Sequence, residues 1–164
     1  MTIGFCFITN PEKKLISANI VCQNNTTDKT NVVQYQSYDI WKLEIPKIEL
    51  SANIAEGTDE DILNKYIGHF EETSKKNGNI GLAAHNRGYE VNYFSRLKEL
   101  EIGDEVIYVI GNNKRYYKVS SINIIDDTDW SNLRSTKDNR ITLITCLENE
   151  PEKRRCIQAI EKEI

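Results

Sequence analysis

Residues Ile141 to Ala159, ITLITCLENEPEKRRCIQA, put a cysteine at the end of an apolar run and two arginines just beyond a short polar loop. A thiol reacts as its thiolate, so a nucleophilic cysteine needs a base or positive charge nearby and access to solvent. Cys146 ends a β-branched run and opens a polar loop. That site is rigid on one side and open on the other, which suits a nucleophile. It also suits a buried structural cysteine, because free cysteine is among the most buried residue types. His85, in GLAAHN, stands where a small-residue run gives way to a loop and is the natural partner. Its distance along the chain is no obstacle, since catalytic pairs are usually far apart in sequence. A capping or core histidine would look the same. His69, beside Phe70 in a helix-like segment, reads as helix surface or packing. Arg154 and Arg155 are the third element. Acyl transfer builds negative charge on a carbonyl oxygen, and losing one donor there costs ~3–4 kcal/mol. Successive strand residues face opposite sides, so only one of the two arginines can face Cys146. An exposed strand-edge arginine is the alternative for either.

These residues need a scaffold, and the composition allows one. The 164 residues suffice for a single domain with a core, and 39% hydrophobic with 28% charged residues describes a globular chain. Net charge is −4 and the basic residues are scattered, so no stripe suits a nucleic-acid backbone. No run approaches the ~18 apolar residues of a membrane span. MTIGFCFI, residues 1–8, is apolar and stops abruptly; it reads as the outer end of a signal anchor or as an ordinary first strand. The four cysteines, Cys6, Cys22, Cys146 and Cys156, include no Cys-x-x-Cys pair, and their spacing is not that of a compact disulfide scaffold. With two histidines, a closed zinc site would need distant residues that share no motif.

Residues 9–38 are rich in Asn, Thr, Gln, Ser and Lys and read as a polar linker or arm, with the compact domain beginning near Tyr38. IWKLEIPKIEL alternates as a strand with an edge or kink at Pro46, and SANIAEGT follows as another. In TDEDILNKYIGHFEET the period changes. Ile62, Tyr66 and Phe70 fall four apart, which predicts a helix, with Thr58 and Asp61 at capping-box spacing. NGNIGLAAHN reads as a buried strand and YFSRLKEL as a short helix. DEVIYVIGNNKRYYKVSSINII is the clearest hairpin. DDTDWSNLRSTKDNR is a polar connection with an N-cap at Asp127 or Asp129; ITLITC and RCIQAI are the last strands. Short strands with two small helices suggest an antiparallel barrel or sandwich.

Taken in order, LEIPKIELSANI, GLAAHN, FSRLKELEIGDEVIYVI, TLITC and RRCIQA resemble the sortase family of cysteine transpeptidases. The resemblance implies an all-β fold, an antiparallel eight-stranded β-barrel with short helices and an N-terminal arm. It implies an anchor remnant and arm over 1–37 and a catalytic domain over 38–164. By the family motifs, Cys146 matches the nucleophile, His85 the catalytic histidine and Thr145 a residue that helps hold substrate. Arg154 matches the family arginine because Ala159, five residues on, fits its register; Arg155 would put Ile160 there. Residues Asp126 to Arg140 match a variable loop that walls the recognition groove. Cys156 departs from the pattern and reads as a small hydrophobe in the wall.

The implied reaction is covalent. Cys146 attacks the Thr carbonyl of a Leu-Pro-x-Thr-Gly-like sorting signal near the C-terminus of a secreted protein, and an incoming amine resolves the thioester. No metal or organic cofactor is needed. Calcium stimulates some family members through acidic loop residues; Glu71, Glu72 and Asp104 could be imagined in that role, and none is assigned it. The partners implied are sorting-signal proteins, an acceptor amine of the cell wall or of a pilin, and the membrane, on whose extracellular face an anchor near the N-terminus would hold the domain. The resemblance also implies further apolar residues upstream of Met1, or a misassigned start. No Asp-Pro-aromatic lid segment precedes the core, which puts cell-wall anchoring ahead of pilus assembly. The reading from another class is a non-catalytic β-barrel that binds peptides, against which the joint presence of Cys146, His85 and Arg154 argues.

Overall fold

A computed structural model describes residues 40–162. The anchor remnant and arm expected over 1–37, with Cys6 and Cys22, lie outside the described residues. Eight strands follow in order: β1 (Trp41–Ile45), β2 (Leu50–Glu56), β3 (Ile67–His69), β4 (Asn79–Ala83), β5 (Glu105–Ile110), β6 (Asn113–Asp126), β7 (Arg140–Leu147) and β8 (Glu150–Glu161). One helical turn, α1 (Glu60–Leu63), lies between β2 and β3. The strands close in the order β1-β2-β3-β4-β7-β8-β6-β5.

The barrel is mixed, which corrects the antiparallel expectation. β2 runs parallel to β3, and β4 parallel to β7, while the other pairs are antiparallel. A parallel pair requires a crossover. α1 supplies one; the whole β5–β6 hairpin with its flanking loops lies between the partners of the other. Apolar alternation reports which face of a strand is buried and carries no information on the direction of its neighbour.

The predicted helix over 58–73 is cut short. Asp59 caps α1, its carboxylate accepting the Ile62 N–H at 3.1 Å, so the cap is Asp59 and not Thr58. The chain then turns into β3, and His69 is a fully buried strand residue, not helix surface. Its Nδ1 lies 3.0 Å from Glu56 Oε1, and its Nε2 3.1 Å from both Thr73 Oγ1 and the Ser74 carbonyl. Gly68 shows why the strand wins here. A Cβ at that position would strike the Gly57 carbonyl and lie 2.8 Å from Leu63 Cδ2. A glycine permits this close approach, whereas one helical turn has little stability of its own. YFSRLKEL likewise gives only the 3₁₀ turn Leu97–Glu99, although Phe94 and Leu97 are both buried in the core as their spacing suggests.

Strand parity sorts the side chains. Ile80 and Leu82 of β4, Ile141 and Leu143 of β7, and Ile157 and Ala159 of β8 belong to the main core. Ala83, Ile144 and Cys156, on the opposite parity, pack with Phe70 in a second cluster flanked by Leu63, Ile125 and Leu133. Cys146 follows Ile144 by two and so belongs to this second face.

Candidate active site

β7 carries Cys146 out of the sheet at its last turn of pleat, and Cys146 is exposed. Across the antiparallel ladder its partner is Arg154 of β8, with Thr145 opposite Arg155. Directly paired residues share a face, so the cysteine and Arg154 point to one side and Arg155 to the other. A register shift between Cys146 and Leu147 ends the regular pairing, and Asn149 turns the chain at φ 64°. Bulges beside a site re-aim the side chains that follow.

His85 arrives from β4. The parallel ladder between β4 and β7 runs from Asn79–Arg140 to Ala83–Ile144 and stops there. Two side chains extend the contact beyond it. Thr145 Oγ1 donates to the Ala84 carbonyl at 2.8 Å, and Asn86 Nδ2 donates to the Cys146 carbonyl at 3.0 Å. His85 lies between these two ties. Its ring stacks on Tyr89, with centroids 3.5 Å apart and planes within 7°. Its Nε2 is buried and has no hydrogen-bond partner among the described residues. Burial, partly offset by Glu60, holds the imidazole below its ordinary value of 6.5.

Cys146, His85, Thr145 and Arg154 line one cavity of about 520 Å³, floored by Ala83 and Ile144 and flanked by Trp130 of the β6–β7 connection. The N-cap expected at Asp127 or Asp129 falls instead on Trp130, which makes no side-chain cap bond. Asp129 accepts the Ser131 N–H at 3.0 Å, ahead of the 3₁₀ turn Ser131–Leu133. Leu133 approaches Gly81 so closely that a Cβ there would lie 2.7 Å away.

The Arg154 guanidinium is held by its Nη1, which donates to the carbonyls of Pro151 (2.6 Å) and Lys153 (2.9 Å). Asp127 Oδ2 lies 3.7 Å from Nη2. The Nε–Nη2 edge therefore keeps donors available to a bound group. Cys156 is fully buried, and burial pushes its thiol up to about 11, which fits a wall residue and not a nucleophile. Of the acidic residues named for calcium, Asp104 is engaged by Lys47 at 2.9 Å and by the Glu101 N–H at 2.6 Å.

A family model described as "Sortase domain" matches residues 43–162. The chain belongs to the sortase family. It is 36% identical to sortase D of Bacillus subtilis over 108 residues, 63% of this chain and 52% of that protein. To sortase A of Staphylococcus aureus it is 33% identical over 124 residues, 73% of this chain and 57% of the relative. The chain thus spans little more than half the length of these two curated relatives. Among solved structures, sortase C1 of Streptococcus suis matches with a TM-score of 0.72 at 27% identity, covering 78% of this chain and 75% of that one. Sortase A of Corynebacterium diphtheriae, a lid mutant, shares the fold with a TM-score of 0.72 at 22% identity, over 79% and 74% of the two chains.

Sequence reasoning about this sortase passed over Asn86 and Tyr89, and read Asp127 only as a possible cap in the connecting loop. Asn86 had one visible signal, its place directly after the histidine. Tyr89 had none, and nothing in the sequence set Asp127 beside Arg154, since a stacking partner and a carboxylate beside an arginine are set by where loops pass in space.

Proposed function

We propose that this sortase is a cysteine transpeptidase that cleaves a Leu-Pro-x-Thr-Gly-like sorting signal and transfers the acyl group to an amine. The observation that carries the reading is the convergence of Cys146 and Arg154, a cross-strand pair, with His85 in one cavity. The Cys146 thiolate attacks the Thr carbonyl carbon. The oxygen that gains charge meets the Nε–Nη2 edge of Arg154, a donor worth ~3–4 kcal/mol in the transition state. The C–N bond breaks, and the His85 imidazolium gives its proton to the leaving amine. The thioester remains on Cys146, and His85 is neutral. An incoming neutral amine attacks the thioester and passes a proton to His85, and the C–S bond breaks to restore the thiolate. Thr145, beside the nucleophile, walls the peptide groove. The apolar floor of Ala83 and Ile144, with Trp130 at the side, suits an extended peptide with apolar side chains.

The acceptor is a cell-wall peptide amine, and the substrates are secreted proteins carrying a C-terminal signal. In this reading residues 38–164 are the catalytic domain. Residues 1–37 lead from a membrane anchor, so that the enzyme works on the extracellular face of the cell membrane. Pilin polymerisation is the second reading, supported by the likeness to a sortase C at 27% identity. The acceptor separates the two, a cell-wall amine or a pilin lysine. The test is a panel of sorting-signal peptides with the purified protein. Wild type should cleave after Thr and show a covalent acyl adduct by intact mass, and Cys146→Ala should show neither. Cleavage by Cys146→Ala would refute the assignment. Wild type that cleaves no signal and resists thiol probes would favour a peptide-binding barrel.

A further inference from the structure

A second cavity of about 240 Å³ opens on the other side of β7 from the nucleophile. Asn86, Thr145, Leu147 and Glu150 line both cavities and form the seam between them. Its far wall carries Arg155 and Lys98. Lys98 is paired with Glu148 at 3.6 Å. Arg155 is half-buried and makes no hydrogen bond or ion pair among the described residues, although its neighbour Arg154 is held at three points. Its fork of five N–H donors is therefore open to solvent and free to take a ligand.

The charges are ordered along this cavity. Glu150, at the seam, is acidic, the Lys98–Glu148 pair is balanced, and Arg155 supplies the free positive charge. A planar fork favours a carboxylate. The two glutamates repel a dianionic phosphate more strongly than a monoanion. We propose that this cavity docks the acceptor, and that the acceptor is an amine bearing a carboxylate, its amine at the seam facing the Cys146 thioester and its carboxylate on Arg155. The proposal rests on the acyl-transfer reading and names the class of its second substrate. The chemistry is that of the second half-reaction: the neutral amine forms the new C–N bond, His85 takes the proton, and the C–S bond breaks. The carboxylate stays intact and serves only to orient the amine.

The test reads the partition of one acyl-enzyme between water and amine, so any loss in acylation cancels. Glycine, diglycine and triglycine are compared with their C-terminal amides, at equal concentrations of neutral amine. In wild type, at one or more lengths, the acid should be favoured ~10-fold or more, the size of one charge-assisted contact. Arg155→Gln should bring acid and amide to within about twofold, and Arg155→Lys should retain part of the preference. N-acetylglycine, which has the carboxylate and no amine, should suppress aminolysis by triglycine in wild type and leave hydrolysis alone; this measurement needs no variant. Equal use of acids and amides at every length, a preference that survives in Arg155→Gln, or indifference to N-acetylglycine would overturn the proposal. If the acyl-enzyme forms and hydrolyses but shows no such preference, this inference alone falls. If no acyl-enzyme forms, the reading beneath it falls.

Discussion

Thr145→Val isolates a tie between the strands that lead to His85 and Cys146. The substitution keeps the side-chain shape and removes one O–H, whose acceptor is the Ala84 carbonyl at 2.8 Å. Thr145 is 4% exposed, so that carbonyl loses its hydroxyl partner in a dry setting. Stranding a buried acceptor costs ~1–3 kcal/mol. At about 4 °C per kcal/mol for a domain of this size, the melting temperature should fall by about 4–12 °C. The kinetic effect should be larger than the stability effect suggests. Ala84 precedes His85 and Thr145 precedes Cys146, so the bond sets how these two residues are placed relative to each other. A displacement of ~1 Å costs ~10²-fold in a reaction of this kind, and acylation should slow by ~10- to 100-fold. KM for the sorting peptide should stay near wild type, and Thr145→Ser, which keeps the hydroxyl, should recover most of the rate. Differential scanning fluorimetry and single-turnover acylation followed by intact mass supply the two readouts. A variant with wild-type melting and wild-type acylation would refute the reasoning. Unchanged melting with a raised KM would place the hydroxyl on the peptide instead of on the strand.

Alkylation by iodoacetamide, mapped by peptide mass, should modify Cys146 in the folded protein and leave Cys156 untouched until denaturant is added, because Cys156 is buried and its thiol is pushed up to about 11. The two histidines can be followed separately by proton NMR. His85 should titrate below 6.5, and Tyr89→Ala, by opening the stacked face to water, should raise the midpoint. Because the folded state holds this proton less tightly than the unfolded chain, its contribution is fully present above about 6.5 and is lost as pH falls through the lowered folded value; denaturant midpoints on either side of that window measure it. Gly68→Ala should destabilise more than Gly81→Ala by chemical denaturation. The first drives a methyl into the Gly57 backbone, whereas the second meets the side-chain ends of Leu133, Thr73 and Phe70, which can shift at ~1–3 kcal/mol.

The sequence by itself determined the candidate residues and their host strands. TLITC fixed a cysteine at a strand end, GLAAHN a histidine after a buried strand, and period-two parity ensured that only one of Arg154 and Arg155 could face that cysteine. Those features are local, and local patterns survive in a linear reading. Strand direction did not, because alternation is the same for parallel and antiparallel neighbours. The helix reading over 58–73 failed for a related reason. Ile62, Tyr66 and Phe70 keep helical spacing, yet Gly68 allows a backbone contact with Gly57 that no periodicity encodes. Only the tertiary structure decided that His85 would lie against Tyr89, that Asn86 would hold the Cys146 carbonyl, and that Arg155 would face a second cavity. The last two depend on the parallel β4–β7 pairing, a contact between segments some sixty residues apart that is formed only when the barrel closes, and the first on the path of the loop after β4.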